Sequence, residues 1–108
     1  MTLAALAGCA NDPAPLEQMK LTEKAVAQAT AVGATGEESE MVMAESKLAQ
    51  ARTDMSGESY KAARMQAEQA ELDARLAEAR VLTEKSQEQI TQLNTRLNRL
   101  RKQLGENQ

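Results

Sequence analysis

Apolar residues recur at alternating steps of three and four along most of this chain, with polar residues between them. The clearest series is Tyr60, Ala63, Ala67, Ala70, Ala74, Ala77 and Val81. That spacing marks one face of an α-helix. Most of its members are alanine, so the face can press very close to a neighbouring helix. Met41, Ala44, Leu48, Ala51 and Met55 form a second stripe with the same steps. Met19, Val26 and Ala29, flanked by Ala25 and Val32, form a third. No apolar–polar alternation is sustained, so no strand is predicted.

The stripes have readable ends. Proline is favoured in a first helical turn, so the first helix is predicted from near Pro15 to about Val32, with Gly33 as its stop. Thr35 and Glu38 fit a capping box for the second helix. Glu37, Glu38 and Glu40 lie in its first turns, where the helix dipole favours negative charge. Ser56-Gly57 should end it, and a third helix should start at Glu58 or Ser59. Nothing interrupts that helix before Leu104 and Gly105, which gives a length of roughly 70 Å at about 1.5 Å per residue.

A further apolar series runs Leu72, Leu76, Ala79, Thr83, Ser86, Ile90, Leu93, Leu97, Leu100 and Leu104. At about 100° per residue it lies nearly opposite the alanine face. The segment from Ala70 to Ala79 is therefore apolar on two sides, as expected of the central member of a bundle. Beyond Val81 only the leucine series continues. The predicted fold is an all-α three-helix bundle over residues 15–81. Its long third helix extends through 82–108 as a coiled-coil-like C-terminal arm.

Composition narrows the function. The chain has 108 residues, enough for one small domain, and Tyr60 is the only aromatic. Each buried alanine methyl contributes on the order of 0.8 kcal/mol at best. Modest stability, or support from a partner, follows. With no His and a single Cys, the usual base–nucleophile pair is missing. There is no clustered metal-ligand set and no glycine-rich phosphate loop. No catalytic, cofactor or metal site is expected. Glu68 and Glu71 read as an ordinary solvated helix face. Tyr60 reads as a cap over the alanine core with its hydroxyl at the water edge. Met41, Met55 and Met65 read as core packing, the alternative being an adaptable binding surface. A net charge of −3 without stacking aromatics argues against nucleic acid.

The N-terminus carries a different signal. Residues 1–9 are apolar, uncharged and far too short to span a bilayer. Leu6-Ala7-Gly8-Cys9 resembles the bacterial lipobox at every position and ends in the only Cys. No Lys or Arg precedes it, so either the true start codon lies upstream or the match is incidental. The resemblance implies that residues 1–8 are a signal-peptide remnant and that Cys9 is lipidated, with 9–14 as a tether. Ala10 in place of Asp after that Cys is similar to lipoproteins sent to the outer membrane.

From Ala44 to Ala79 the residues form a recognisable pattern. It runs Ala44, Leu48 and Ala51, then Gly57, Tyr60, Ala62 and Ala63, then Ala67-Glu68-Gln69-Ala70, then Asp73-Ala74, Leu76-Ala77 and Ala79. With Gly33-Ala34 upstream, this resembles the domain of unknown function 4398 family of Gram-negative lipoproteins over about residues 25–81. The resemblance implies a lipid-anchored helical protein at the periplasmic face of the outer membrane. Some family members continue into a peptidoglycan-binding domain. This sequence ends at Gln108 without one, which puts in doubt the direct wall binding that those longer relatives imply.

The partner-binding candidates lie on the arm. Ile90, Leu93, Leu97, Leu100 and Leu104 would form a coiled-coil seam. In a parallel homodimer Arg96 would face Arg101, like against like, at a few tenths of a kcal/mol per pair. Packing against a different helix, or a monomer with a frayed end, is preferred, and homo-oligomerisation is otherwise left open. Arg96, Arg99, Arg101 and Lys102 form a basic tip with no acid among them. The dipole of the helix C-terminus explains Arg101 and Lys102 but not Arg96 and Arg99. An acidic envelope protein or an anionic envelope polymer would fit all four. The expected function is a lipid-anchored structural or interaction protein that presents a helical surface. The alternative is a soluble helical adaptor with a tetratricopeptide-like hairpin at Gly57, Tyr60 and Ala63, although such arrays need about three repeats.

Overall fold

A computed structural model of the chain describes residues 12–36 and 39–106. Cys9 with its lipobox, and Glu38 of the predicted capping box, lie outside the described residues. Three helices follow one another: α1 Leu16–Val32, α2 Ser39–Ser56 and α3 Tyr60–Glu106. No strand occurs among the described residues. The radius of gyration is 24.0 Å, against about 13 Å for a compact chain of this length.

The helix ends follow the local sequence. Gly33 has φ 106° and closes α1. Its N–H donates to the Thr30 carbonyl at 3.0 Å, and the Ala34 N–H donates to the Ala29 carbonyl at 2.9 Å. This is a Schellman stop, and Ala34 and Ala29 are both buried in the core beneath it. Lys85 on α3 donates its Nζ to the Val32 carbonyl, which satisfies another acceptor at the same helix end. The turn after α2 has the same pattern shifted by one residue. The Glu58 N–H donates to Met55 and the Ser59 N–H to Asp54, so the left-handed position falls on Glu58, φ 58°, and not on Gly57. Gly105 does not stop α3; it lies within the helix.

The core sits between the alanine face of α3 and the apolar stripes of the other two helices. Ala63, Ala67, Ala70, Ala74 and Ala77 are completely buried, and Val81 nearly so. One cluster gathers Ala25, Ala29, Met41 and Ala44 against Ala74, Ala77 and Val81. Another gathers Met19, Leu48 and Ala51 against Ala67 and Ala70. Leu48 lies near the start of α3 and Met41 further along it, so α2 runs antiparallel to α3. The α1 clusters and the Lys85–Val32 contact place α1 roughly parallel to α3. Both short helices pack chiefly on α3 and touch each other much less.

Polar ties lock the register around this core. Thr22 is completely buried on α1, and its hydroxyl lies 2.9 Å from both the Ala67 and the Gln18 carbonyls. Lys47 pairs with Asp73 at 2.6 Å, Arg80 with Glu40 at 3.0 Å, and Arg52 with Glu23 at 2.9 Å. Among the described residues no buried side-chain polar atom lacks a partner.

Candidate interaction surface

The leucine series lies on the side of α3 that neither short helix covers. Leu93, Leu97, Leu100 and Leu104 are between 49% and 68% exposed, and Ile90 is similar. The stripe does not begin at the arm. Leu72 and Leu76 lie within the bundle and are 67% and 49% exposed. The expectation that α3 is covered on both faces from Ala70 to Ala79 is thus corrected. The two short helices sit side by side on the alanine face, and the leucine face is open along its whole length. Leu82 adds an exposed side chain at its edge. Where the stripe passes through Ala79 and Thr83 the side chains are small, and a shallow hollow forms between Leu76, Arg80 and Glu84.

No residue from Leu82 to Gly105 is buried. The basic tip is exposed throughout, and Arg96, Arg99, Arg101 and Lys102 form none of the ion pairs among the described residues. The structure therefore brings the leucine seam and the four cations onto one free helix.

Two side chains, Met65 and Glu71, differ from the sequence expectation. Met65 is 52% exposed instead of packed in the core, because it lies on the leucine side of α3. With Tyr60, Lys61 and Asp12 it lines an open groove at the start of that helix. Tyr60 is half-buried, consistent with a cap over the alanine face. Glu71, expected as a solvated acid, has a side chain only 17% exposed. It accepts from Gln18 Nε2 at 2.7 Å and from the Arg75 guanidinium at 2.6 Å. Gln18, and then Arg75, hold its carboxyl below the ordinary value of 4.5 against the opposing effect of burial. The sequence carried no signal for the Gln18 contact, which joins residues 53 apart. Among the described residues no group of His, Cys, Asp or Glu side chains could hold a metal ion, and no helix is long and apolar enough to cross a membrane.

The model of a family described as a domain of unknown function, DUF4398, matches residues 17–93. The chain belongs to the DUF4398 family. A crystal structure of a DUF4398 family protein from Pseudomonas aeruginosa PAO1 is similar to it at 60% identity. The match has a TM-score of 0.87 and covers 89% of this chain and all of that one. No curated protein matches. The DUF4398 match extends past the alanine core as far as Leu93, so it includes the first part of the arm.

Proposed function

We propose that this DUF4398 protein is a non-catalytic interaction protein of the bacterial envelope, anchored by lipid on Cys9 at the periplasmic face of the outer membrane. The observation that carries the reading is the continuous exposed leucine stripe on a helix that projects beyond its bundle. Exposed apolar stripes of this kind mark interaction surfaces. The unpaired basic tip adds a site for an acidic envelope protein or an anionic envelope polymer. It lies up to roughly 70 Å from the start of α3. The lipobox at Leu6–Cys9 supports the address. One acyl chain anchors weakly and two anchor stably.

Two measurements test this reading. Mass spectrometry of the mature protein should find an acylated Cys9, and detergent should release the protein from a membrane pellet. A free thiol, or recovery in the cytosol, defeats the anchor. A pull-down from envelope extract should lose partners when Arg96, Arg99, Arg101 and Lys102 are all changed to Gln, in a salt-dependent way. Equal recovery at low and moderate salt defeats the tip.

A further inference from the structure

The leucine stripe keeps a strict heptad from Leu72 to Leu104. With Ile90 at position a, the a and d positions are these ten residues, and the alanine face falls on the far side at b and f. The stripe is about 50 Å long at 1.5 Å per residue. It has large side chains at both ends and small ones in the middle, at Ala79, Thr83 and Ser86. A parallel in-register pair would set these three against themselves and leave consecutive thin layers. It would also face Arg75 with Arg80 and Arg96 with Arg101.

We propose that the leucine face is covered by a second copy of this chain, antiparallel, with the two α3 helices crossing at Glu88. This rests on the reading of the arm as an interaction surface and names its occupant; it does not depend on the lipid anchor. In this register Leu97 of one copy meets Ala79 of the other, Leu93 meets Thr83, and Ile90 meets Ser86. Every small position then faces a large one, as close packing requires. The hollow at Ala79 and Thr83 is where Leu97 and Leu93 of the other copy insert. At the ends, Leu100 meets Leu76 and Leu104 meets Leu72, so the exposed leucines of the bundle and those of the arm cover one another.

The charges select the same register. In antiparallel pairs, position e faces e and g faces g. With the crossing at Glu88, Arg101 faces Asp73, which Lys47 of its own chain already holds at 2.6 Å, Gln103 faces Arg75, and Arg96 faces Leu82. The basic tip then lies along residues 74–80 of the other copy, where Glu78 stands between Arg75 and Arg80, and neither Arg96 nor Arg101 is set against an arginine. Each neighbouring antiparallel register places arginine on arginine. Shifting the crossing to Thr95 sets Arg96 against itself. The intermediate shift sets Arg80 against Arg101, and the shift the other way sets Arg96 against Arg75. Like charges directly opposed disfavour a register.

The test uses the 108-residue chain with Cys9→Ser and one spin label, placed in turn by Glu88→Cys, Thr95→Cys or Lys102→Cys. All three are exposed f positions. Sedimentation should show a concentration-dependent rise from 11.7 kDa to twice that mass. The label distance should be shortest at Glu88. The axial offset between the two labels should grow to about 20 Å at Thr95 and about 40 Å at Lys102. Leu97→Asp, at a position exposed in the single chain, should keep its helicity and raise the dimer dissociation constant by about a hundredfold or more. Equal distances at the three sites, a minimum at Thr95, or a monomer at every concentration overturns the proposal. The interaction-surface reading fails separately, when Leu97→Asp recovers the same envelope partners as the natural chain.

Discussion

At the residue scale, single side chains set how the helices meet. Thr22 is completely buried where α1 meets α3 at Ala67, and it brings a hydroxyl into the contact. A buried hydroxyl without a partner costs about 1–3 kcal/mol, and here the Ala67 carbonyl removes that cost while fixing the level of α1 along α3. Glu71 couples the same two helices through the hydrogen bond its carboxylate accepts from Gln18. Its carboxyl is held below 4.5 in the fold, so its stabilising contribution is complete above about that pH. It is lost as the pH falls through the lowered folded value. Glu71→Gln should therefore lower the melting temperature at pH 7, and its gap to the natural chain should close on acidification towards pH 3. Thermal melts across that range check this; a gap that does not change with pH would assign the effect to shape alone. At the α2–α3 turn the strained position is Glu58, φ 58°. A left-handed non-glycine residue costs roughly 1–2 kcal/mol, partly offset because glycine loses more chain entropy. Glu58→Gly should raise stability by about 0.5–1 kcal/mol in urea unfolding, and a loss would show that the side chain matters. A Cβ at Gly57 would meet only ordinary contacts, at 3.6 Å or more.

At the scale of the elements, α3 has two unlike faces. The alanine face is completely buried at Ala63, Ala67, Ala70, Ala74 and Ala77 and leaves no room for growth. Ala74→Leu should cost about 1–3 kcal/mol by overpacking, whereas Thr95→Leu on the arm should stay within about 0.5 kcal/mol. Denaturant midpoints for the two variants decide it, and equal midpoints would mean that the alanine contact is loose. The spacing of three and four made both faces of α3 legible, along with the stripes of α1 and α2. It did not say which face of α3 the short helices would choose, nor that Met65 would stay outside. Periodicity reports that a face is apolar. Only packing reports whether the chain has enough other apolar surface to cover it, and two short helices supply enough for one face.

At the scale of the whole molecule, the long axis belongs to one helix. The bundle uses its first half, and beyond Val81 every described residue up to Gly105 is exposed, with Lys85 tying the start of the arm to the end of α1. A helix started on a packed core pays no new nucleation cost, which lets the arm remain helical where a free peptide of that length would be marginal. By itself the sequence determined the three helices, the Gly33 stop, the alanine core and the extended arm. Each of these follows from local spacing, caps or the absence of breakers. Tertiary structure alone decided that Thr22 and Glu71 would join α1 to α3, and that Leu72 and Leu76 would remain uncovered. Those outcomes depend on which residues distant in the chain come to lie together, and no local spacing encodes that.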